Sequence, residues 1–148
     1  EFRDAQEAAR DNDMGVVMWS YPRGQGVKND TSSSTISYAA RLGLELGADV
    51  AKIKYPGDAD AMAHACDAAA ATDVVMSGGS KTDDEAFLRT VKEAMDAGAK
   101  GLAVGRNVFQ RENPEAILDG LEKVIFEDAS VEEALDAVNG KGKQATLD

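Results

Sequence analysis

The sequence predicts an α/β fold in which parallel β-strands alternate with α-helices. Four short runs are rich in apolar and β-branched residues, and the segments between them show the periodicity of amphipathic helices. The runs are apolar through most of their length, which is typical of strands covered on both faces in a parallel sheet. The predicted strands are GVVMWSY (15–21), DVAKIKY (49–55), DVVMSGG (73–79) and GLAVGRN (101–107).

A helix signal fills each gap between the predicted strands and continues after the last one. An apolar stripe between the first two strands ends at Gly47, and an Ala-rich helix is predicted over residues 58–72. A further amphipathic helix is predicted from Pro114 to Phe126. Two capping-box patterns mark other helix starts, Thr82 with Glu85 and Ser130 with Glu133.

Four strand–helix units are compatible with two architectures. They make half of an eight-stranded (βα)8 barrel, which typically has about 250 residues. Four parallel strands also suffice for a small, open, doubly wound sheet. Composition and periodicity do not choose between the two.

Length, charge and cysteine content narrow the class of protein. The 148 residues suffice for one domain. The net charge of −11 is spread over the predicted helices, which indicates a halophile-like acidic surface. Such a surface argues against nucleic acid as a partner, because phosphates bind to basic patches. No apolar run reaches the length of a membrane span, so no membrane partner is expected. Cys66 is the single cysteine, which excludes an internal disulfide and predicts a cytoplasmic location.

Two lysines lie in the second predicted strand. Lys52 and Lys54 are two residues apart, so their side chains point to the same face of the sheet. An edge strand with its lysines in water is one alternative, but the flanking Val50, Ala51 and Ile53 indicate a strand buried on both sides. An interior lysine loses hydration and is repelled by the second cation, and both effects favour the uncharged amine that attacks a carbonyl. The pair therefore predicts a Schiff-base lysine.

Aromatic residues stand at the end of the first predicted strand, which is the end that carries the active site in parallel α/β folds. Strand alternation places Trp19 and Tyr21 on one face, and Pro22 and Gly24 stop the strand directly afterwards. The two rings are either packing residues or an aromatic wall beside a phenol that transfers protons. The sequence leaves both interpretations open.

Glycines follow the third and fourth predicted strands. Gly78 and Gly79 lie in MSGGSK, and Gly105 precedes Arg106 in VGRN. Glycine lets the backbone approach a ligand closely, and the forked guanidinium suits a phosphate. Each loop alone is a weak signal, because such glycines more often form turns. Their pairing at equivalent ends of neighbouring strands predicts a phosphate site.

One chemistry uses all four strand ends together. An amine, a phenol, an aromatic wall and an anion site suit a lyase that acts on a phosphorylated carbonyl compound. The amine would form an iminium that accepts electrons while a carbon–carbon bond is cleaved or formed, and the phenol would move the proton.

Four segments of the chain closely resemble the archaeal-type class I fructose-bisphosphate aldolases. The resemblance covers nearly the whole chain in order, and it implies a TIM (βα)8 barrel of which this chain contains about strands five to eight. Residues 1–138 are accordingly predicted to be the C-terminal half of the aldolase domain, and residues 139–148 a polar tail. The segments are WSYPRG (19–24), AARLGLELGADVAKIKYPGD (39–58), MSGGSKTDDEAFL (76–88) and AGAKGLAVGRNVFQR (97–111).

The resemblance implies reversible cleavage of fructose 1,6-bisphosphate to dihydroxyacetone phosphate and glyceraldehyde 3-phosphate, in glycolysis and gluconeogenesis, without metal or cofactor. It also implies assembly into homo-oligomers. The Schiff-base lysine falls on Lys52, the acid/base tyrosine on Tyr21 and an active-site tryptophan on Trp19, while Lys54 is a substrate-contacting or electrostatic neighbour. The loops for the substrate phosphate correspond to Ser77, Gly78, Gly79, Gly105 and Arg106.

Two alternative functions stay open. The related 2-amino-3,7-dideoxy-D-threo-hept-6-ulosonate synthases of aromatic amino acid biosynthesis share the lysine strand, the Gly loop and GRN, but resemble this chain less at Trp19 and at KIK. A non-catalytic, phosphate-binding half-barrel would need neither Lys52 nor Tyr21. The first residues, EFRDAQEAARDND, begin without Met in a helical pattern, so we also expect the chain to be part of a longer protein.

Overall fold

Four parallel strands form one sheet, in chain order, in a computed structural model that describes residues 1–140. Each strand lies inside a predicted run but is shorter than that run. The strands are β1 (Val17–Trp19), β2 (Val50–Lys54), β3 (Asp73–Ser77) and β4 (Gly101–Ala103). The helices are α1 (Phe2–Arg10), α2 (Ser33–Glu45), α3 (Ala59–Ala69), α4 (Asp84–Asp96), α5 (Arg106–Phe109), α6 (Pro114–Glu127) and α7 (Val131–Val138).

The hydrophobic core lies between the helices and one face of the sheet. Burial alternates along β2 and β3, with every second side chain fully covered. Because the other face is only partly covered, the sheet differs from a doubly wound sheet, which has helices on both faces. The core side chains of the covered face are Met18, Ala51, Ile53, Val74 and Met76.

The Ala-rich helix α3 packs as its pattern predicts. Met62, Ala65 and Ala69 are fully buried, and small side chains let α3 lie closely against its neighbours. The helix ends earlier than residue 72, because Ala70 takes a positive φ of 49°. The large side chains Leu88 of α4 and Ile117 of α6 complete the core, and both are fully buried.

One of the two predicted capping boxes is present and the other is wrong. At α7, the Glu133 amide donates to the Ser130 hydroxyl and the Glu133 carboxylate accepts from the Ser130 amide. At α4 the N-cap is Asp83, one residue after Thr82, and its carboxylate accepts the Ala86 amide at 2.8 Å. Asp is as good an N-cap as Thr, so the two neighbours compete for the position.

The last predicted strand run is divided into two elements. The strand ends at Ala103, and Arg106 begins the short helix α5. Gly105 of GRN is therefore the N-cap residue of α5, and Arg106 and Asn107 lie in its single helical turn. The predicted polar tail, 139–148, lies beyond α7, and from residue 141 onward it is outside the described residues.

The sheet is open at both edges and on its inner face. Among residues 1–140, β1 and β4 each pair on one side only, and Val17 and Trp19 of β1 are more than half exposed. Beside β4, an apolar cleft of about 680 Å³ lies between the strand and α6, where Leu118 and Phe126 are exposed. None of the helices within residues 1–140 is both long and apolar enough to cross a lipid bilayer.

Candidate active site

Strand register places the predicted functional side chains next to one another on the inner face. Trp19 of β1 is the partner of Lys52 of β2, and Lys52 is in turn the partner of Val75. Two residues further along, Lys54 lies beside Ser77 of β3. Residues in register on parallel strands share a face, so the tryptophan and both lysines point into one space.

The lysine pair lies on an interior strand. β2 pairs with β1 on one side and β3 on the other, so the alternative of an edge strand is wrong. The Lys52 ammonium nitrogen lies 3.9 Å from the centre of the Trp19 ring, and its side chain is half-buried. The indole therefore positions the lysine amine over the inner face of the sheet.

Lys54 forms an ion pair with Asp30, a residue of the loop between β1 and α2. The hydrogen bond from Lys54 lowers the pKa of the Asp30 carboxyl below its usual value. The carboxylate balances the Lys54 charge, which weakens the repulsion of Lys52 by Lys54 that the sequence predicted. Nothing in the sequence singles out Asp30, because it precedes its partner by 24 residues and belongs to no motif.

Tyr21 and Trp19 form one wall of the site. Their ring centroids are 6.3 Å apart at an interplanar angle of 48°, and the Arg23 guanidinium carbon lies 5.8 Å from the centre of the Tyr21 ring. Trp19 is 68% exposed among the described residues, so these residues do not enclose its ring in a core. The ring faces the open inner surface.

The two glycine loops meet above β3 and β4. A Cβ at Gly78 would lie 2.8 Å from Val104 Cγ1, and one at Gly105 would lie 2.8 Å from the Phe109 ring. Gly79 has a φ of 61°, a conformation that favours glycine. Close packing against Val104 thus favours glycine at Gly78, and backbone conformation favours it at Gly79. At Gly105 the neighbour is the exposed ring of Phe109, which can turn away, so the requirement for glycine is weaker there.

A second tyrosine borders the site, and sequence reasoning missed it. The Tyr55 hydroxyl donates a 2.6 Å hydrogen bond to the Glu93 carboxylate of α4. Burial, together with this hydrogen bond, raises the pKa of the Tyr55 phenol. The Tyr55 phenol is therefore held in its protonated form with its hydrogen already bound to Glu93, which makes it a poor proton carrier.

All nine residues predicted for the site line one cleft of about 590 Å³. Positive groups border it on several sides, although the chain as a whole is strongly acidic. Within residues 1–140, no group of three or more His, Cys, Asp or Glu side chains is placed to hold a metal ion. The nine residues are Trp19, Tyr21, Lys52, Lys54, Ser77, Gly78, Gly79, Gly105 and Arg106.

The arrangement resembles known aldolases in sequence and in structure. The chain is 72% identical over 135 residues to a class 1 fructose-bisphosphate aldolase of Halobacterium salinarum. The matched residues make up 91% of this chain and 51% of the relative. A crystal structure of an archaeal fructose 1,6-bisphosphate aldolase superposes with a TM-score of 0.84 at 43% identity, over 86% of this chain and 51% of that one.

A second solved structure has the catalytic Lys of an archaeal fructose-1,6-bisphosphate aldolase covalently bound to the carbinolamine intermediate of its substrate. It matches with a TM-score of 0.82 at 42% identity, over 84% of this chain and 50% of that chain. This chain thus spans about half the length of the relatives that it matches.

These similarities decide between the two architectures that the sequence left open. The four-stranded sheet, covered by helices on one face, is half of a TIM (βα)8 barrel. The sequence profile of the DeoC/LacD family aldolases matches residues 1–111, which is most of the chain and includes every residue of the cleft. The chain therefore belongs to the DeoC/LacD aldolase family.

Proposed function

We propose that this chain carries the catalytic residues of a class I fructose-bisphosphate aldolase. The enzyme would reversibly cleave fructose 1,6-bisphosphate to dihydroxyacetone phosphate and glyceraldehyde 3-phosphate. The observation that carries the proposal is that a lysine of an interior strand lies beside Trp19, Tyr21 and two glycine loops in one cleft. The aldolase names of the relatives favour this substrate over that of the heptulosonate synthases.

The Lys52 amine is the proposed nucleophile. It attacks the C2 carbonyl of the open-chain ketose to form a carbinolamine, which loses water to give an iminium. A base then removes the C4 hydroxyl proton, the C3–C4 bond breaks, and its electron pair moves to the iminium nitrogen as glyceraldehyde 3-phosphate leaves. The resulting enamine takes a proton at C3, and water releases dihydroxyacetone phosphate and restores the amine.

Tyr21 is assigned the proton transfers of this cycle. It lines the same cleft as Lys52, and its hydroxyl has no acceptor within the described residues, whereas the Tyr55 hydroxyl is bound to Glu93. Trp19 keeps the Lys52 chain over the inner face and forms an apolar wall against the substrate carbons. A nearby apolar surface limits water at the iminium, which would otherwise be hydrolysed early.

The glycine loops and their neighbours are assigned to the substrate phosphate. Gly79 lies at the surface of the cleft, and Arg106 on α5 supplies a guanidinium for charged hydrogen bonds. Lys54, held by its ion pair with Asp30, adds an ammonium hydrogen-bond donor to the same cleft. Ser77, Gly78 and Gly105 shape the remainder of this anion site.

Reductive trapping tests the proposal at the level of one residue. In the protein expressed from its complete gene, borohydride with dihydroxyacetone phosphate should attach one covalent adduct to Lys52, located by peptide mass spectrometry. Lys52→Met should abolish the adduct and the cleavage activity. The matched control is Lys54→Met, which removes an amine from the same strand face two residues away and should retain the adduct.

Two results would count against this function. An adduct on Lys54 rather than Lys52 would reassign the nucleophile. An active enzyme that gives no adduct would rule out Schiff-base chemistry. A protein that binds phosphate but has no cleavage activity would instead favour the non-catalytic half-barrel. Product analysis with both substrate sets separates the aldolase from the heptulosonate synthase.

The cellular setting is part of the same proposal. We place the enzyme in glycolysis and gluconeogenesis in the cytoplasm, as a homo-oligomer with a phosphorylated sugar as its substrate. Cys66, the single cysteine, is a free thiol, which fits a reducing compartment. The exposed apolar residues Phe126 and Leu118 near the β4 edge are consistent with contacts to another part of the assembly. Native mass measurement checks the assembly.

A further inference from the structure

Asn107 is a buried polar residue directly beneath the predicted phosphate site. Only 1% of it is exposed, and it lies on α5 next to Arg106. Its side-chain amide nitrogen donates to the carbonyls of Gly78, at 2.6 Å, and Ser80, at 3.0 Å. Its side-chain oxygen accepts from the Thr82 amide at 3.2 Å. All three hydrogen bonds of one side chain thus go to a single loop, 78–82.

These hydrogen bonds set the direction in which the loop amides point. In a planar trans peptide, the carbonyl of one residue and the amide of the next point in opposite directions. Because Asn107 holds the Gly78 carbonyl, the Gly79 amide of the same peptide points away from Asn107. Gly79 borders the cleft, Asn107 does not, and the Gly79 amide has no acceptor within residues 1–140.

Further contacts attach the same loop to the segment that follows β4. The Lys81 ammonium donates to the Gln110 carbonyl at 2.9 Å, and Arg111 forms an ion pair with Asp84, the first residue of α4 after the loop. Arg111 also donates to the Asn107 carbonyl at 2.7 Å. The two loops that carry Gly79 and Arg106 are therefore one connected unit, and Asn107 lies at its centre.

We propose that Asn107 is a positioning residue that holds the Gly79 amide toward the substrate phosphate. This inference rests on the proposed function, because it assigns the anion of the cleft to a phosphate of the substrate. Asn107 touches no substrate atom itself. It keeps two carbonyls of the loop turned away from the anion, where their negative ends would otherwise repel it.

The test compares two buried hydrogen-bonding side chains in the protein expressed from its complete gene. Asn107→Ala should weaken the binding of inorganic phosphate, measured by calorimetry, by about tenfold or more, because at least one oriented hydrogen bond to the anion is lost. The KM for fructose 1,6-bisphosphate should rise by a similar factor, with a smaller change in kcat.

Thr72→Val is the matched control. Thr72 is also buried, and its hydroxyl donates to the Ala48 carbonyl at 3.1 Å, but it lies at the opposite, amino-terminal end of β3. The control should lower the melting temperature and leave phosphate affinity unchanged. If Asn107→Ala does not fold, Asn107→Asp keeps the size and the acceptor for Thr82 but places a carboxylate oxygen against the Gly78 and Ser80 carbonyls. It should weaken phosphate binding as well.

The outcomes separate the inference from the function on which it rests. An Asn107 variant that folds and binds phosphate as tightly as Thr72→Val would overturn the positioning role and leave the aldolase proposal intact. A wild-type protein that neither binds phosphate nor cleaves the bisphosphate would overturn both. Weaker phosphate binding by the Asn107 variant alone supports the inference.

Discussion

Gly78 offers a sharp test of how the candidate site is built. The sequence suggested that this glycine lets the backbone approach a ligand, but the structure assigns it a packing role as well. A Cβ added at Gly78 would lie 2.8 Å from Val104 Cγ1, 2.9 Å from Val104 Cβ and 3.3 Å from the Asn107 amide nitrogen. Gly78→Ala should therefore separate the ends of β3 and β4.

The size of the effect follows from these contacts. Carbon atoms in a packed interior are about 3.5–4.0 Å apart, so the new methyl group is at least about 0.6 Å too close to Val104. A rotation of the stiff valine side chain could move Cγ1 but not Cβ. Overpacking of this kind typically costs about 1–3 kcal/mol of unfolding free energy, and we expect Gly78→Ala to fall in this range.

Urea unfolding measures the loss, and two other glycines serve as controls. Gly26 has open space around it and no positive φ, so Gly26→Ala should change the unfolding free energy by less than about 0.5 kcal/mol. Gly79 also has open space but a φ of 61°, so Gly79→Ala should cost about 1–2 kcal/mol through the backbone alone.

A double variant separates packing from backbone strain. Val104→Ala removes Cγ1 and leaves Cβ, so it should recover part of the Gly78→Ala loss and none of the Gly79→Ala loss. Phosphate binding should weaken with Gly78→Ala, since the loop that holds Gly79 moves. The reasoning is refuted if Gly78→Ala is as harmless as Gly26→Ala, or if its loss is strictly additive with that of Val104→Ala.

Two further predictions concern the pH dependence of stability and the reactivity of the Cys66 thiol. Hydrogen bonds from the Ser130 amide and hydroxyl lower the pKa of Glu133 below its ordinary value of 4.5, so the stability they contribute is present above that pH and is lost as the pH falls through the lowered value. Ser130→Ala keeps the amide and removes the hydroxyl, which bonds both the Glu133 carboxylate and the Glu133 amide. It should therefore lower the melting temperature at every pH and by a larger amount above about pH 5, and a gap from wild type that does not narrow at all on acidification would contradict this. Burial, and then the Asp67 charge, raise the pKa of Cys66, so iodoacetamide should alkylate the folded protein more slowly at pH 8 than it alkylates glutathione. Guanidinium should restore the normal rate, and equal rates in the folded and unfolded protein would show the thiol to be unprotected.

Local patterns predicted the elements because each depends on near neighbours in the chain. The apolar run of β2, the small buried face of α3 and the capping box at Ser130 are each formed by residues that are only a few positions apart in the chain. The errors occurred where two local signals compete, as at Thr82 and Asp83, and where a strand run continued into α5. Boundaries of this kind are decided by small energy differences between neighbouring caps.

The residues of the candidate site were predictable by type, since chemistry at the carboxyl ends of parallel strands is a property of the fold class. Their supporting partners were not. Asp30, Glu93 and Asn107 contact residues that are 24 to 38 positions away along the chain. No pattern in the sequence marks such a partner, because any polar residue on a neighbouring loop is an equally good candidate until the loop is placed.

The sequence by itself determined the alternation of strands and helices, the face on which the two lysines lie and the end of the sheet where the chemistry is found. Tertiary structure decided that β2 is interior, that Trp19 covers the Lys52 amine and that the two glycine loops form one unit around Asn107. The division has a physical reason. Backbone periodicity is local and is written in consecutive residues, whereas pairing between distant side chains depends on how closely the strands and helices pack.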